Sequence, residues 1–62
     1  MSKIEKKIVE KIGGGMGFAE FLAWASEQDI DNADVIATKL AAKGELRIDY
    51  LSGMFLPKLP SN

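Results

Sequence analysis

The chain has 62 residues, of which 47% are hydrophobic and 27% charged, and its formal net charge is −1. This length predicts one small domain over residues 1–62, with a core that buries only about 60% of the surface of the unfolded chain. Cysteine and histidine are both absent, which excludes disulfides and the usual zinc ligand sets. No apolar run approaches the ~20 residues of a membrane span. The charged first residues are unlike a secretory signal, and we expect a cytoplasmic protein.

The first predicted element is an amphipathic helix at about residues 3–12. Its apolar residues recur at helical spacing, namely Ile4, Ile8, Val9 and Ile12. Ser2 and Glu5 have the spacing of a capping box, which favours a helix start. A run of glycines follows and ends the helix. The glycine-rich segment 13–17 is not interpreted as a phosphate-binding loop, because no strand precedes it and no Gly-Lys-Ser/Thr follows.

Two further helices are predicted in the middle of the chain, at about residues 18–28 and 32–43. Their apolar stripes are Phe18, Phe21, Leu22 and Ala25 in the second helix, and Ala33, Ile36, Ala37, Leu40 and Ala41 in the third. Asp31 is the predicted N-cap of the third helix. A lysine followed by a glycine predicts its end.

The last third of the chain changes from helical to alternating spacing, which predicts a β-hairpin at about residues 45–57. The alternating residues are Leu46, Arg47, Ile48, Asp49 and Tyr50. Gly53 suits the turn and Pro57 ends the return strand, so residues 58–62 are a tail. A hairpin alone is not stable and must pack on the helices. The predicted fold class is therefore mainly α with a small β-hairpin.

Residues 40–46 (LAAKGEL), followed by Gly53 and Leu56, carry a family resemblance. Together with the order helix, glycine turn, helix, short turn, helix and hairpin, they resemble the winged helix-turn-helix family. Many of its domains have a leucine, three residues, a glycine, an apolar strand and then a glycine-containing wing. The resemblance runs from about Lys3 to Leu59 and implies a three-helix winged helix-turn-helix domain. It also implies a short strand at Met16, and whether the hairpin pairs with it stays open.

The resemblance implies a DNA-binding protein, such as a transcriptional regulator or an accessory factor. In that family the third helix enters the major groove, and the hairpin lies along a phosphate strand or a minor groove. The residues implied to face double-stranded DNA are Asn32, Thr38, Lys39 and Lys43 on the helix and Arg47 in the wing. Asn32 would read adenine, and the cations would neutralise phosphates. So few cations predict weak binding by a monomer, and a homodimer would supply two half-sites.

Two features of the sequence favour an alternative, a protein-interaction module such as an adaptor or inhibitor. Three carboxylates that would repel phosphates crowd the start of the third helix, namely Asp29, Asp31 and Asp34. The wing is apolar, and since strand side chains alternate, its apolar residues cannot all point inward. The partner interface would then be Trp24, Tyr50, Leu51, Met54 and Phe55. Exposed apolar clusters of this kind tend to mark interfaces, including self-association, although Trp24 also suits the edge of a core.

Neither catalysis nor a metal or other cofactor is expected. The chain has no histidine base and no cysteine nucleophile, and its serines and threonines lack a general base. A chain this short has little volume for a cleft around its carboxylates. The aspartates before the third helix are interpreted as helix-capping groups. A calcium loop starting at Asp29 would need a glycine at position 34 and a glutamate at position 40, where Asp34 and Leu40 stand.

Overall fold

A computed structural model describes residues 1–60 of the chain, and these form three helices and a small antiparallel sheet. The elements in chain order are α1 (Lys3–Ile12), β1 (Met16–Gly17), α2 (Phe18–Glu27), α3 (Ala33–Ala42), β2 (Leu46–Asp49) and β3 (Met54–Pro57). The three helices and the hairpin are confirmed, about half of the described residues are helical, and a third strand adds to the sheet. No helix within residues 1–60 is long and apolar enough to cross a membrane. Of the predicted tail, residues 61 and 62 lie outside the described residues.

The start of α1 is fixed by the capping box that the sequence predicts. The Glu5 amide donates to Ser2 Oγ over 3.1 Å, and the Ser2 amide donates to Glu5 Oε1 over 2.9 Å. These bonds satisfy two amides that the first helical turn leaves without partners. The helix then buries Ile8 and Ile12 completely against the rest of the chain.

The turn between α2 and α3 differs from the prediction. The N-cap of α3 is Asn32 and not Asp31, and the Asn32 side chain makes no capping hydrogen bond. Two residues of this turn have left-handed backbone, Asp29 with φ 56° and Asn32 with φ 55°. Asn and Asp tolerate this conformation better than most residues. The turn of residues 28–32 therefore determines where α3 begins. The Asp31 carboxylate is not the N-cap of the helix.

The sheet has the strand order β1-β3-β2, with antiparallel pairing on both sides of β3. Met16 pairs with Phe55, and on the other side Ile48 pairs with the same residue. The short strand at Met16 therefore does join the hairpin. The Phe18 amide donates to the Gly53 carbonyl over 2.9 Å, which fastens the first residue of α2 to the β2–β3 turn.

The core lies between the three helices and the inner face of the sheet. Its buried residues are Ile8, Ile12, Met16, Phe21, Ala25, Ala33, Ala37, Leu40, Leu46 and Phe55. Phe55 is only 6% exposed, and the rings of Phe18 and Phe21 both lie 4.8 Å from its ring. The exposed position expected of Phe55 in an apolar wing is therefore wrong, since its side chain is almost completely buried. Phe55 belongs to the central strand, and its side chain points to the face that α2 covers.

Candidate functional site

The most exposed large apolar side chains of the described residues stand together in the turn between β2 and β3. Leu51 is fully exposed and Tyr50 is 76% exposed. Met54, predicted beside them, is half-buried, because it already belongs to the central strand. Two of the four hairpin residues predicted at a partner interface are thus displayed at the surface.

The Asp49 carboxylate holds this turn in one shape. Its Oδ1 atom accepts hydrogen bonds from the amides of Leu51 at 3.1 Å and Ser52 at 3.3 Å. The Gly53 amide donates to the Asp49 carbonyl over 2.9 Å. Hydrogen bonds from Ser52 and from the Leu51 amide hold the pKa of Asp49 below its usual value. The turn therefore presents Tyr50 and Leu51 from an ordered backbone.

An apolar groove lies beside Tyr50, between α2, α3 and the sheet, and we call it the Tyr50 groove. It has a volume of about 180 Å³ and is lined by Phe18, Leu22, Asp34, Thr38, Ile48, Tyr50 and Phe55. The ring of Phe18 meets the ring of Tyr50 edge to face, with 6.2 Å between centroids. Leu22 leaves 49% of its surface exposed at the rim. The groove thus has an aromatic floor and an apolar rim.

A wider and shallower depression lies on the other side of Tyr50, along β2. Its volume is about 710 Å³, and Ile48 and Tyr50 line it as well as the Tyr50 groove. Leu51 and Arg47 also border it. The exposed tyrosine therefore stands on the ridge between two concave surfaces, where a partner would contact it from either side.

Negative charge concentrates at one end of the Tyr50 groove. Asp34 lines the groove and also a neighbouring depression of about 330 Å³, which Asp29 and Asp31 border. Residues 12–38 contain five acidic side chains and no lysine or arginine, whereas residues 1–11 and 39–62 each contain four basic and two acidic side chains. All of α2 and the first turn of α3 therefore carry only negative charge.

The five residues implied to contact DNA do not form one cationic surface. Asn32 lies at the acidic end of α3, and Thr38 Oγ1 donates to the Asp34 carbonyl over 2.8 Å. Lys39 is exposed, in the half of the helix nearer its C-terminus. Arg47 uses its Nε to donate to the Pro57 carbonyl over 2.9 Å. Only part of this set therefore presents free cationic groups.

Lys43 is engaged in a contact between helices. Its Nζ lies 3.1 Å from Glu5 Oε2. The Ser2 backbone amide, Lys43 and the Ser2 hydroxyl all bond the Glu5 carboxylate and lower its pKa to about 2. The lysine predicted to neutralise a phosphate thus joins the end of α3 to the start of α1, through the same carboxylate that caps α1.

Trp24, the last residue predicted at a partner interface, is half-buried at the edge of the core. Its ring lies 6.0 Å from that of Phe21, and Lys11 Nζ lies 5.9 Å from its centroid. Sequence reasoning missed Leu22 and Asp34 as surface residues of a groove. Leu22 shares its helical stripe with Phe18 and Ala25, so spacing assigns it to the core, and nothing local indicates that it lies at the edge.

No family model, curated protein or solved structure matches this chain. Among residues 1–60, no three acidic side chains come close enough together to hold a metal ion. The surface features of this chain that suit binding are the Tyr50–Leu51 turn, the Tyr50 groove and the acidic residues beside the groove.

Proposed function

We propose that the chain is a winged-helix-like binding module that recognises a protein partner through Tyr50, Leu51 and the Tyr50 groove. The winged-helix assignment is supported by the order of elements and by the sheet. The family resemblance implies a short strand before the second helix, and in the structure that strand pairs with the closing strand of the hairpin. Fold alone does not define function, so the interaction is argued from the turn.

The observation that carries the proposal is the full exposure of Leu51 beside the 76% exposed Tyr50. Burying a leucine side chain that water otherwise surrounds contributes about 1.5–3 kcal/mol. Tyrosine is enriched among the residues that dominate protein interfaces. In this turn the hydrogen bonds to Asp49 already order the backbone, so binding loses less conformational entropy than it would with a flexible loop.

Site-specific photocrosslinking in the cells that express the protein tests this proposal. A photoreactive amino acid replaces Leu51, where full exposure makes the change harmless to folding. The matched control carries it at Glu20, an exposed residue about half a turn round α2 from Leu22. We expect covalent protein adducts from position 51 and none from position 20. Equal adducts from both positions, or none from position 51, would contradict the proposal.

Binding to double-stranded DNA is the second candidate, and the exposure of Lys39 favours it. No ion pair of Lys39 is found among residues 1–60, and the Lys43 side chain is still 58% exposed despite its contact with Glu5. Both cations lie toward the C-terminal end of α3, away from Asp29 and Asp31. DNA contacts through this end would avoid most of the acidic residues.

An amide NMR titration with a generic DNA duplex tests the second candidate. Binding would shift the amides of Thr38, Lys39 and Arg47, and the shifts would fade as salt is raised, because phosphate contacts release counterions. The double variant Lys39→Ala, Lys43→Ala would show a shallower salt dependence. Absence of any shift at low salt rules out this candidate and leaves the protein-binding proposal untouched.

A further inference from the structure

We infer that the Tyr50 groove accepts one large apolar side chain from a partner segment that carries lysine or arginine close to that side chain. This inference rests on the proposed function, because it names the chemistry of the protein partner. It is carried by the size of the groove, by its apolar lining and by the acidic residues in the groove and in the adjoining depression.

The size of the groove decides between a small molecule and a side chain. Its volume is about 180 Å³, whereas pockets for small molecules usually have about 300–1,000 Å³. The lining from Phe18, Ile48 and Phe55 offers ring and methyl surface to an apolar group. Well-packed pockets that take one anchoring side chain are typical of the energetic centres of protein interfaces.

The charges at the end of the groove determine which charge the neighbouring residues of the partner should carry. Asp34 is an exposed acidic residue in the lining of the groove, and no ion pair of Asp34 is found among residues 1–60. Asp29 and Asp31 border the adjoining depression, which shares Leu22 and Asp34 with the groove. A partner that lays an apolar side chain in the groove must place its next residues beside these carboxylates. Lysine or arginine there gains attraction, and an acidic side chain is repelled.

The same arrangement disfavours a nucleic acid in this groove. A phosphate backbone that follows it would lie against three carboxylates, with no cation from residues 12–38 to offset them. A second copy of the chain would offer Ile4, which is half exposed on a lysine-rich helix, as the apolar side chain. The experiment below separates this case from a foreign basic segment by its dependence on protein concentration.

The test is an amide NMR titration of the full chain with three synthetic alanine-based helical peptides. The first carries one leucine with lysines three and four residues later, which places them on the same face. In the second, glutamates replace the lysines, and in the third, alanine replaces the leucine. We expect the first peptide to shift the amides of Leu22, Asp34 and Tyr50. The second should bind at least about tenfold more weakly, because its glutamates face several carboxylates, and the third should give no shift.

Variants of the chain make the test specific to the groove. Tyr50→Ala should abolish binding of the first peptide. Asp34→Asn should weaken it about two- to fivefold, the size expected from one exposed ion pair. Asp34→Lys should narrow the difference between the lysine and glutamate peptides. Glu20→Gln is the matched control, since it removes a negative charge from α2 away from the groove and should change nothing. Far-ultraviolet circular dichroism checks that each variant is folded.

Each other outcome overturns the inference. Equal binding of the lysine and glutamate peptides, or no effect of Asp34→Asn, would show that the groove does not select a basic partner segment. No binding of the first peptide would show that the groove does not accept a large apolar side chain. Shifts at Leu22 and Tyr50 that depend on protein concentration without any peptide assign the groove to a second copy. In all of these cases the crosslinks from position 51 still decide the proposed function independently.

Discussion

The Glu5 carboxylate links local and long-range structure. Its Oε1 atom accepts from the Ser2 amide and so completes the cap of α1, while Oε2 lies 3.1 Å from the ammonium group of Lys43 at the end of α3. The first contact is visible in the sequence, because a capping box joins residues three apart. The second joins residues 38 positions apart, and no local pattern indicates it. Lys43 therefore has a structural role beside any role in binding.

The low pKa of Glu5 predicts a loss of stability in acid. Its pKa is about 2 in the folded chain against an ordinary value of 4.5, so the folded state favours the ionised form. The resulting stabilisation is complete above pH 4.5 and is lost as the pH falls toward 2. Urea denaturation at several pH values across this window measures it.

The Glu5→Gln variant is the control for this acid effect. It should be less stable than the parent at neutral pH and should lose less stability on acidification. Asp49, whose pKa is also lowered, retains its own share of the pH dependence. The explanation fails if the parent and Glu5→Gln chains lose the same stability between pH 4.5 and 2.

The β2–β3 turn is the element in which structure and proposed function meet. Gly53 has a φ of +69°, and its carbonyl accepts the amide hydrogen of Phe18. Residues 50–53, which form this turn, therefore both display Tyr50 and Leu51 at the surface and connect the sheet to α2. A substitution of Gly53 should therefore change the stability of the fold, whereas a substitution of Leu51 should change binding.

Gly53→Ala should destabilise the protein by about 1–2 kcal/mol, because an L-residue pays this much for left-handed backbone. Crowding adds little, since the new Cβ would lie 3.9 Å from Phe18 Cδ2, an ordinary contact. Gly53→Asn should cost less, as asparagine tolerates this conformation. Urea midpoints of the three chains check the order, and a midpoint for Gly53→Ala equal to that of the parent contradicts it.

A matched pair of changes in the hairpin separates the core from the surface. Phe55→Ala should cost about 3–5 kcal/mol, which is a large share of the roughly 3–9 kcal/mol expected for 60 residues. Leu51→Ser should leave the unfolding midpoint unchanged, because the Leu51 side chain is fully exposed. Thermal unfolding followed by circular dichroism measures both. A stable Phe55→Ala chain would show that this ring does not close the core.

Much of the architecture is predictable from local signals. The features that sequence reasoning missed depend on contacts between residues far apart in the chain. The bounds of α1 agree with residues 3–12, because a capping box and a glycine run mark its two ends. The predicted ranges 18–28 and 32–43 each extend one residue into the caps that flank α2 and α3. At the start of α3 that residue is the left-handed Asn32, which caps the helix and does not belong to it. Two residues are too few to show a period, so β1 was implied by resemblance alone. Alternation shows that hairpin residues face opposite sides, and only the packing of α2 shows that Phe55 faces inward.

At the scale of the whole molecule, the sheet and the helices share one core, and we expect them to unfold together. Met16 of β1 is buried with Ile8, Phe21 and Phe55, so no element keeps a core of its own. Fluorescence of Trp24 reports on α2 and its contact with Lys11, whereas far-ultraviolet circular dichroism reports on all three helices. The two urea transitions should coincide, and Met16→Ala should move both by the same amount. Two separated midpoints would refute a single cooperative unit.

The position of β3 in the middle of the sheet has a consequence for the newborn chain. All the other described elements precede β3 in the sequence, so they leave the ribosome first. Until residue 57 emerges, β1 and β2 have no strand to pair with, and Phe21 lacks the ring that covers it. Synthesis at about 5–20 residues per second makes this interval short. We therefore expect the complete core to form only after β3 has emerged, and the apolar face of α2 stays uncovered until then.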